Sequence, residues 1–123
     1  MIINADGSPK YESKIELLWE NPEPTADFDE QTIEIDTDHY AIFYIVMFDG
    51  TNNIVACTSM ILSEFRDGFQ RTHFWYGKRS YWRSVTVTDT GLRFGLGQTA
   101  SSSTTTTGET SKAIPYRIYG SKF

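Results

Sequence analysis

The stretch YWRSVTVTDTGLRFGL, residues 81–96, alternates twice around a turn. Val85 and Val87 are interleaved with threonines, and Leu92 and Phe94 flank Arg93, so each half has the period of two that places one side chain in a core and the next outside. TDTG at 88–91, with Gly91, supplies the turn. β-branched and aromatic residues in this arrangement specify two antiparallel strands and exclude a helical stripe. The same pattern extends in both directions. KIELLW (14–19), QTIEID (31–36), YAIFYIVMF (40–48), NIVACTSMIL (53–62), FQRTHFWY (69–76), YWRSVTVT (81–88), LRFGL (92–96) and PYRIYG (115–120) read as short strands. About eight strands of this kind predict an all-β chain, an antiparallel β-sandwich or jelly-roll-like domain.

The punctuation fits that reading. FDGTNN (48–53), with Asp49-Gly50, is expected to be a hairpin loop, and YGKRS (76–80) to join two aromatic-rich strands around Gly77-Lys78-Arg79-Ser80. NPEPTADF (21–28) carries prolines at 22 and 24, so it reads as an extended connection or strand-crossing loop. LSEFRD (62–67) is the one modest candidate for a helical turn. GQTASSSTTTTGETSK (97–112) has no side chain able to anchor a core and reads as a mobile polar loop bracketed by strands. The whole of 1–123 is expected to be a single domain.

Composition bounds the chemistry. Hydrophobic residues make up 39% and aromatics 15% of 123 residues, enough for one core. No apolar run approaches the length that spans a bilayer, which argues against membrane insertion. The start MIINADGSPK lacks the basic-then-apolar layout of a secretory signal, so export by that route is not expected. The net charge of −5 is divided unevenly. Residues 1–64 hold thirteen acids and two lysines, whereas 65–123 hold three acids and nine Lys/Arg. Such a chain is a poor polyanion binder, so no nucleic-acid partner is expected; attraction between the halves, within one fold or between copies, explains the asymmetry better.

Nothing spells out a reaction. Cys57 is the only cysteine and reads as a small buried residue rather than a nucleophile. His39 and His73 lie in no metal-binding or triad pattern and read as surface or edge residues. DFDE and IDTD lack the glycine of a calcium loop, and GLG at 95–97 lacks the helix and lysine of a phosphate loop. No metal or cofactor is expected. The remaining candidate is FWYGKRSYW (74–82), whose rings and cations suit stacking on a base or a sugar, or simply a hairpin held by cross-strand aromatic pairs. The charge balance disfavours the base. Trp75, Tyr76, Lys78, Arg79, Tyr81 and Trp82 are therefore the candidate ligand contacts, with the rings stacking and the two cations meeting anionic groups.

LLWENPEPTADFDEQTIEIDTDHYAIFYIVM, VTVTDTGLRFGLG and the closing AIPYRIYGSKF together resemble tail-associated structural proteins of phages and prophages of Gram-positive and gut bacteria. The shared features are a leucine-tryptophan, an N-P-x-P turn, a phenylalanine, Q-T-I with an acidic alternating strand, and an isoleucine-proline strand ending in I-Y-G. They cover both ends and the late middle, in order. The resemblance implies virion location after synthesis in the host cytoplasm, and an all-β domain of tail fibres, baseplates or head fibres. It also implies a homo-oligomer, often a trimer, among other virion proteins, and it supplies no catalytic residues. The middle, SMILSEFRDGFQRTHFWYGKRSYWRS, departs from the pattern by being aromatic and basic, and is where contact with a host cell-surface polysaccharide would be adjusted. The leading expectation is a non-enzymatic structural protein with glycan adhesion. The alternatives are a purely architectural oligomerisation module and a small carbohydrate-active enzyme, which would need a converging carboxylate pair.

Overall fold

A computed structural model describes residues 2, 3, 5, 9, 10, 15–50, 55–64, 66, 68–76, 78–100 and 105–122. Twelve strands are present among them. A small hairpin pairs β1 (Ile2–Ile3) with β2 (Pro9–Lys10). β3 (Ile15–Glu20), β12 (Ile114–Ser121), β5 (Ile42–Phe48) and β6 (Val55–Leu62) form one antiparallel sheet in that spatial order. The second sheet contains β4 (Gln31–Glu34), β7 (Phe69–Tyr76), β8 (Arg79–Val87), β9 (Gly91–Phe94), β10 (Gly97–Ala100) and β11 (Thr105–Glu109).

Register shows that this second sheet is four ranks wide. β7 pairs along one edge of β8. β9 and β10 follow one another along the other edge, with Val85 opposite Phe94 and Trp82 opposite Gln98. β4 then pairs β9 and β11 pairs β10. The chain is thus an all-β sandwich. β5 shows why: Phe43, Ile45 and Met47 are buried and their neighbours are half-exposed, the signature of a strand with one face on a core. They share that core with Ile61, Ile114 and Ile118 of their own sheet and with Ile33, Phe74, Tyr81, Val85, Val87, Leu92 and Phe94 of the other. Full burial of such side chains stabilises the fold by about 1.5–3 kcal/mol each.

NPEPTADF crosses between the sheets, as its prolines require. Buried Asn21 anchors it, donating from Nδ2 to the Pro115 carbonyl and accepting from the Glu23 N–H, 2.9 and 2.8 Å. At its far end the Phe28 N–H donates to the Thr110 carbonyl and the ring meets Trp19 and Phe94 edge-on. Asp49-Gly50 starts the connection between β5 and β6, with Gly50 at φ 81°, where a Cβ would fall 1.9 Å from the Ser111 carbonyl oxygen. Only glycine fits there.

Two arginines hold the ends of the molecule together. Arg66 donates to Asp38, Asp89 and the Thr37 carbonyl at 2.7, 3.1 and 3.0 Å, tying the β8–β9 turn to the 36–40 loop. Arg83 has the inward parity of Val85 and Val87 and is fully buried. Its Nε donates to the carbonyls of Lys112 and Ala113, Nη1 to Gly95, and Nη2 to Thr110 and Lys112, at 2.7–3.2 Å. Its guanidinium carbon lies 5.2 Å from the Phe28 ring centre. Burial pulls its pKa down to about 10, against the attraction of Asp29, so it is protonated at neutral pH.

The structure differs from the sequence reading in three places. The segment 97–112 is not a loop throughout: β10 and β11 form a hairpin that continues the ranks of β9 and β4 along the second sheet, because threonine's branched Cβ suits a pleated strand. Residues 101–104 lie outside the described ones. Ser63 and Glu64 form a turn, and no helix is present among the described residues. The β7–β8 connection is tighter than expected, with Tyr76 opposite Arg79.

Candidate functional site

That tight connection decides which rings meet. A four-residue turn would set Trp75 opposite Trp82; the observed register sets Trp75 opposite Ser80 and Trp82 opposite His73. A slip of two residues preserves faces, so both tryptophans stay on the outer side of the sheet. His73 is inserted between them, its ring centre 5.8 Å from Trp75 and 5.9 Å from Trp82, edge-on to both. Arg71, two residues before, places its guanidinium carbon 5.6 Å from the Trp82 ring centre. Arg71, His73 and Trp75 occupy alternate positions of β7 and are exposed, Trp75 by 67%. Trp82 is half-buried among them.

The other candidate contacts divide by parity and position. Lys78 and Arg79 are exposed at the turn. Tyr76 ends β7, and its side chain lies outside the described residues. Tyr81 points inward: it is 9% exposed, stacked on Phe74 at 5.3 Å, with the Lys112 ammonium 5.9 Å from its ring centre. It supports the site from within the core and does not reach a ligand outside.

Beside the rings the same outer face sinks into a shallow groove of about 340 Å³, lined by Glu30, Ser84, Thr86, Arg93, Gly95, Leu96 and Gln98. Gln98 sits directly across from Trp82, so the groove begins where the aromatic row ends. Arg93 and Glu30 pair across it at 3.3 Å. The volume falls at the lower end of small-ligand sites. An amide, two hydroxyls, a guanidinium and a carboxylate offer donors and acceptors on one face, next to flat apolar rings. Arg71, Lys78, Arg79 and Arg93 outweigh Glu30 and Glu34 among the described residues, giving this face of an acidic chain a local positive charge.

His73, Arg71, Gln98, Arg93 and Glu30 were not among the contacts expected from sequence, although the spacing 71, 73, 75 marks the first two. The remaining chemistry-bearing residues lie elsewhere. His39 pairs with Asp36 on an exposed loop, and that hydrogen bond holds the Asp36 carboxyl below its usual range. Cys57 is half-buried against the core, and burial raises its thiol pKa, which keeps it protonated. Among the described residues no three His, Cys, Asp or Glu side chains converge on a point that could hold a metal. Comparison with protein-family models, curated proteins and solved structures finds no match to this chain.

Proposed function

We propose that this chain is a non-enzymatic structural protein of a phage virion, a tail, baseplate, fibre or head-decoration domain. In this reading it assembles with copies of itself and adheres to a host-surface glycan through the outer face of β7, β8 and β10. The virion part is supported by the sequence resemblance. The adhesion part rests on one observation: the outward-facing row Trp75–His73–Trp82 runs into a polar groove on the same face. A pyranose presents an apolar C–H face and a rim of hydroxyls. The rings suit the first and Gln98, Ser84, Thr86, Arg93 and Glu30 the second. Lys78 and Arg79 extend the fit to polymers bearing phosphate or carboxylate. An exposed aromatic row this close to hydrogen-bonding groups has no role in the core, which Tyr81 and Phe74 already fill from the other side.

Biolayer interferometry against immobilised wall teichoic acid, neutral rhamnose-rich wall polysaccharide and dextran tests the reading. Binding to at least one wall polymer and not to dextran is expected. Trp75→Ala and Trp82→Ala should each weaken it by about tenfold, equivalent to ~1.4 kcal/mol. Lys78→Ala with Arg79→Ala should weaken teichoic acid binding and flatten its salt dependence. Full binding by both tryptophan variants would sink the proposed site, and no binding to any wall polymer would sink the adhesion.

A further inference from the structure

The outer face of the other sheet is built differently. Cross-strand register aligns Leu17, Tyr119, Tyr44 and Met60 in one row across β3, β12, β5 and β6. Ile15, Ser121, Ile42 and Leu62 form the row beside it. Ile15, Leu17, Val55 and Met60 are 54, 51, 53 and 59% exposed, four of the five large hydrophobic side chains so exposed among the described residues. Among the described residues the charged side chains at outward positions are Glu20 and Arg117, which pair with each other at 3.4 Å. Val46 extends the apolar surface along β5, and at the end of that strand Phe48, which also packs against the core, meets Tyr116 edge-on.

We infer that this face is where a second copy of the chain docks. Two quantities favour that occupant. Four strands at ~4.8 Å spacing and a seven-residue β5 at ~3.4 Å per residue give a flat footprint on the order of 450 Å². Two copies together cover roughly 900 Å² before side-chain relief is added, which brings the contact to the ~1,000 Å² that a specific interface requires. Left bare, a patch of this size ranks with the largest apolar patches that monomers expose, which are often functional. Charge is the second. Copies of a chain with net charge −5 repel one another on balance, although the outer face of β7 and β8 is locally positive. Among the described residues this face carries one acid and one base in mutual contact, so a like-charged copy meets little opposition there.

The inference stands apart from glycan adhesion and names the surface that would hold the proposed oligomer. Light scattering coupled to size-exclusion chromatography on the full chain, at ~10 and ~100 μM and in 0.05 and 0.5 M NaCl, reads it out. The wild type should carry the mass of at least two chains at the higher concentration, undiminished by salt, since an apolar contact is not screened. Leu17→Lys and Met60→Lys, at positions more than half exposed, should each return the mass to one chain while the thermal midpoint of the monomer holds. Trp75→Ala should leave the oligomer intact. A monomeric wild type at ~100 μM would overturn the inference, as would lysine variants that keep the oligomer, or an oligomer that salt dissolves.

Discussion

The two outer faces of the sandwich share a core and differ in almost every other respect. One carries Trp75, His73, Trp82 and Arg71 beside a polar groove; the other carries Leu17, Tyr119, Tyr44 and Met60 in a row nearly free of charge. Both are aromatic-rich, so ring content alone distinguishes nothing. What separates them is the company the rings keep. Hydrogen-bonding groups around the first suit a hydrated ligand, whereas the second is mostly apolar, with its described acid and base paired to each other, and suits another apolar surface.

The strongest perturbation should erase that contrast by removing the frame beneath both faces. Arg83→Met would strip the donors from the carbonyls of Gly95, Thr110, Lys112 and Ala113, which no side-chain change can remove. Relief of the buried charge offsets part of the loss, yet several bare carbonyls at ~1–3 kcal/mol each leave a net destabilisation of about 3–5 kcal/mol, measurable by urea unfolding. Tyr81→Ala should cost a similar ~3–5 kcal/mol, because it empties a packed position. Trp75→Ala should stay within ~0.5 kcal/mol. Equal losses for Tyr81 and Trp75 would contradict the division into inward and outward rings.

A smaller effect links the faces through copy number. Met60→Lys lies on the opposite sheet, so affinity for a soluble oligosaccharide fragment should be unchanged in isothermal titration. Retention on whole cells should still fall at least tenfold, because the linked sites act together. An unchanged cell retention would mean that the faces are uncoupled. The smallest effect is expected from the His39–Asp36 pair. The folded Asp36 pKa lies below the unfolded value, so its contribution is present above the usual carboxylate range and fades as pH drops through the folded value. His39→Ala should therefore narrow the gap in thermal midpoint between pH 6 and pH 3, and leave both faces unaltered.

Much of the sandwich was legible because alternation survives wherever one face of a strand is buried. All eight expected strands are present, with ends that differ by no more than two residues. The segment 97–112 was harder, since β10 and β11 bring no large apolar side chain to announce themselves. The site was legible in part. Val85 and Val87 fix an inward parity which, carried two and four residues back, puts Arg83 and Tyr81 inside and Trp82 outside. A cation at an inward position conflicts with composition-based expectation, and its carbonyl partners lie 12 to 30 residues away, beyond any local signal. The insertion of His73 between the tryptophans depends on a turn two residues shorter than the glycine and serine suggested. Register of that kind is set by geometry at the turn and not by the strand pattern.

Arg83 also bears on how the molecule reaches its final form. Its acceptors belong to the β9–β10 junction and to the approach to β12, pieces that arrive on β8 from separate parts of the chain. A half-assembled sandwich that covered β8 before those carbonyls were in place would enclose a cation with too few partners, an arrangement disfavoured by several kcal/mol. Partially formed states are thus raised in energy relative to both ends of the reaction, and the transition is driven toward all-or-none behaviour. Tryptophan fluorescence and far-ultraviolet circular dichroism should trace one coincident curve in urea, and in Arg83→Lys that coincidence should be the first property to fail.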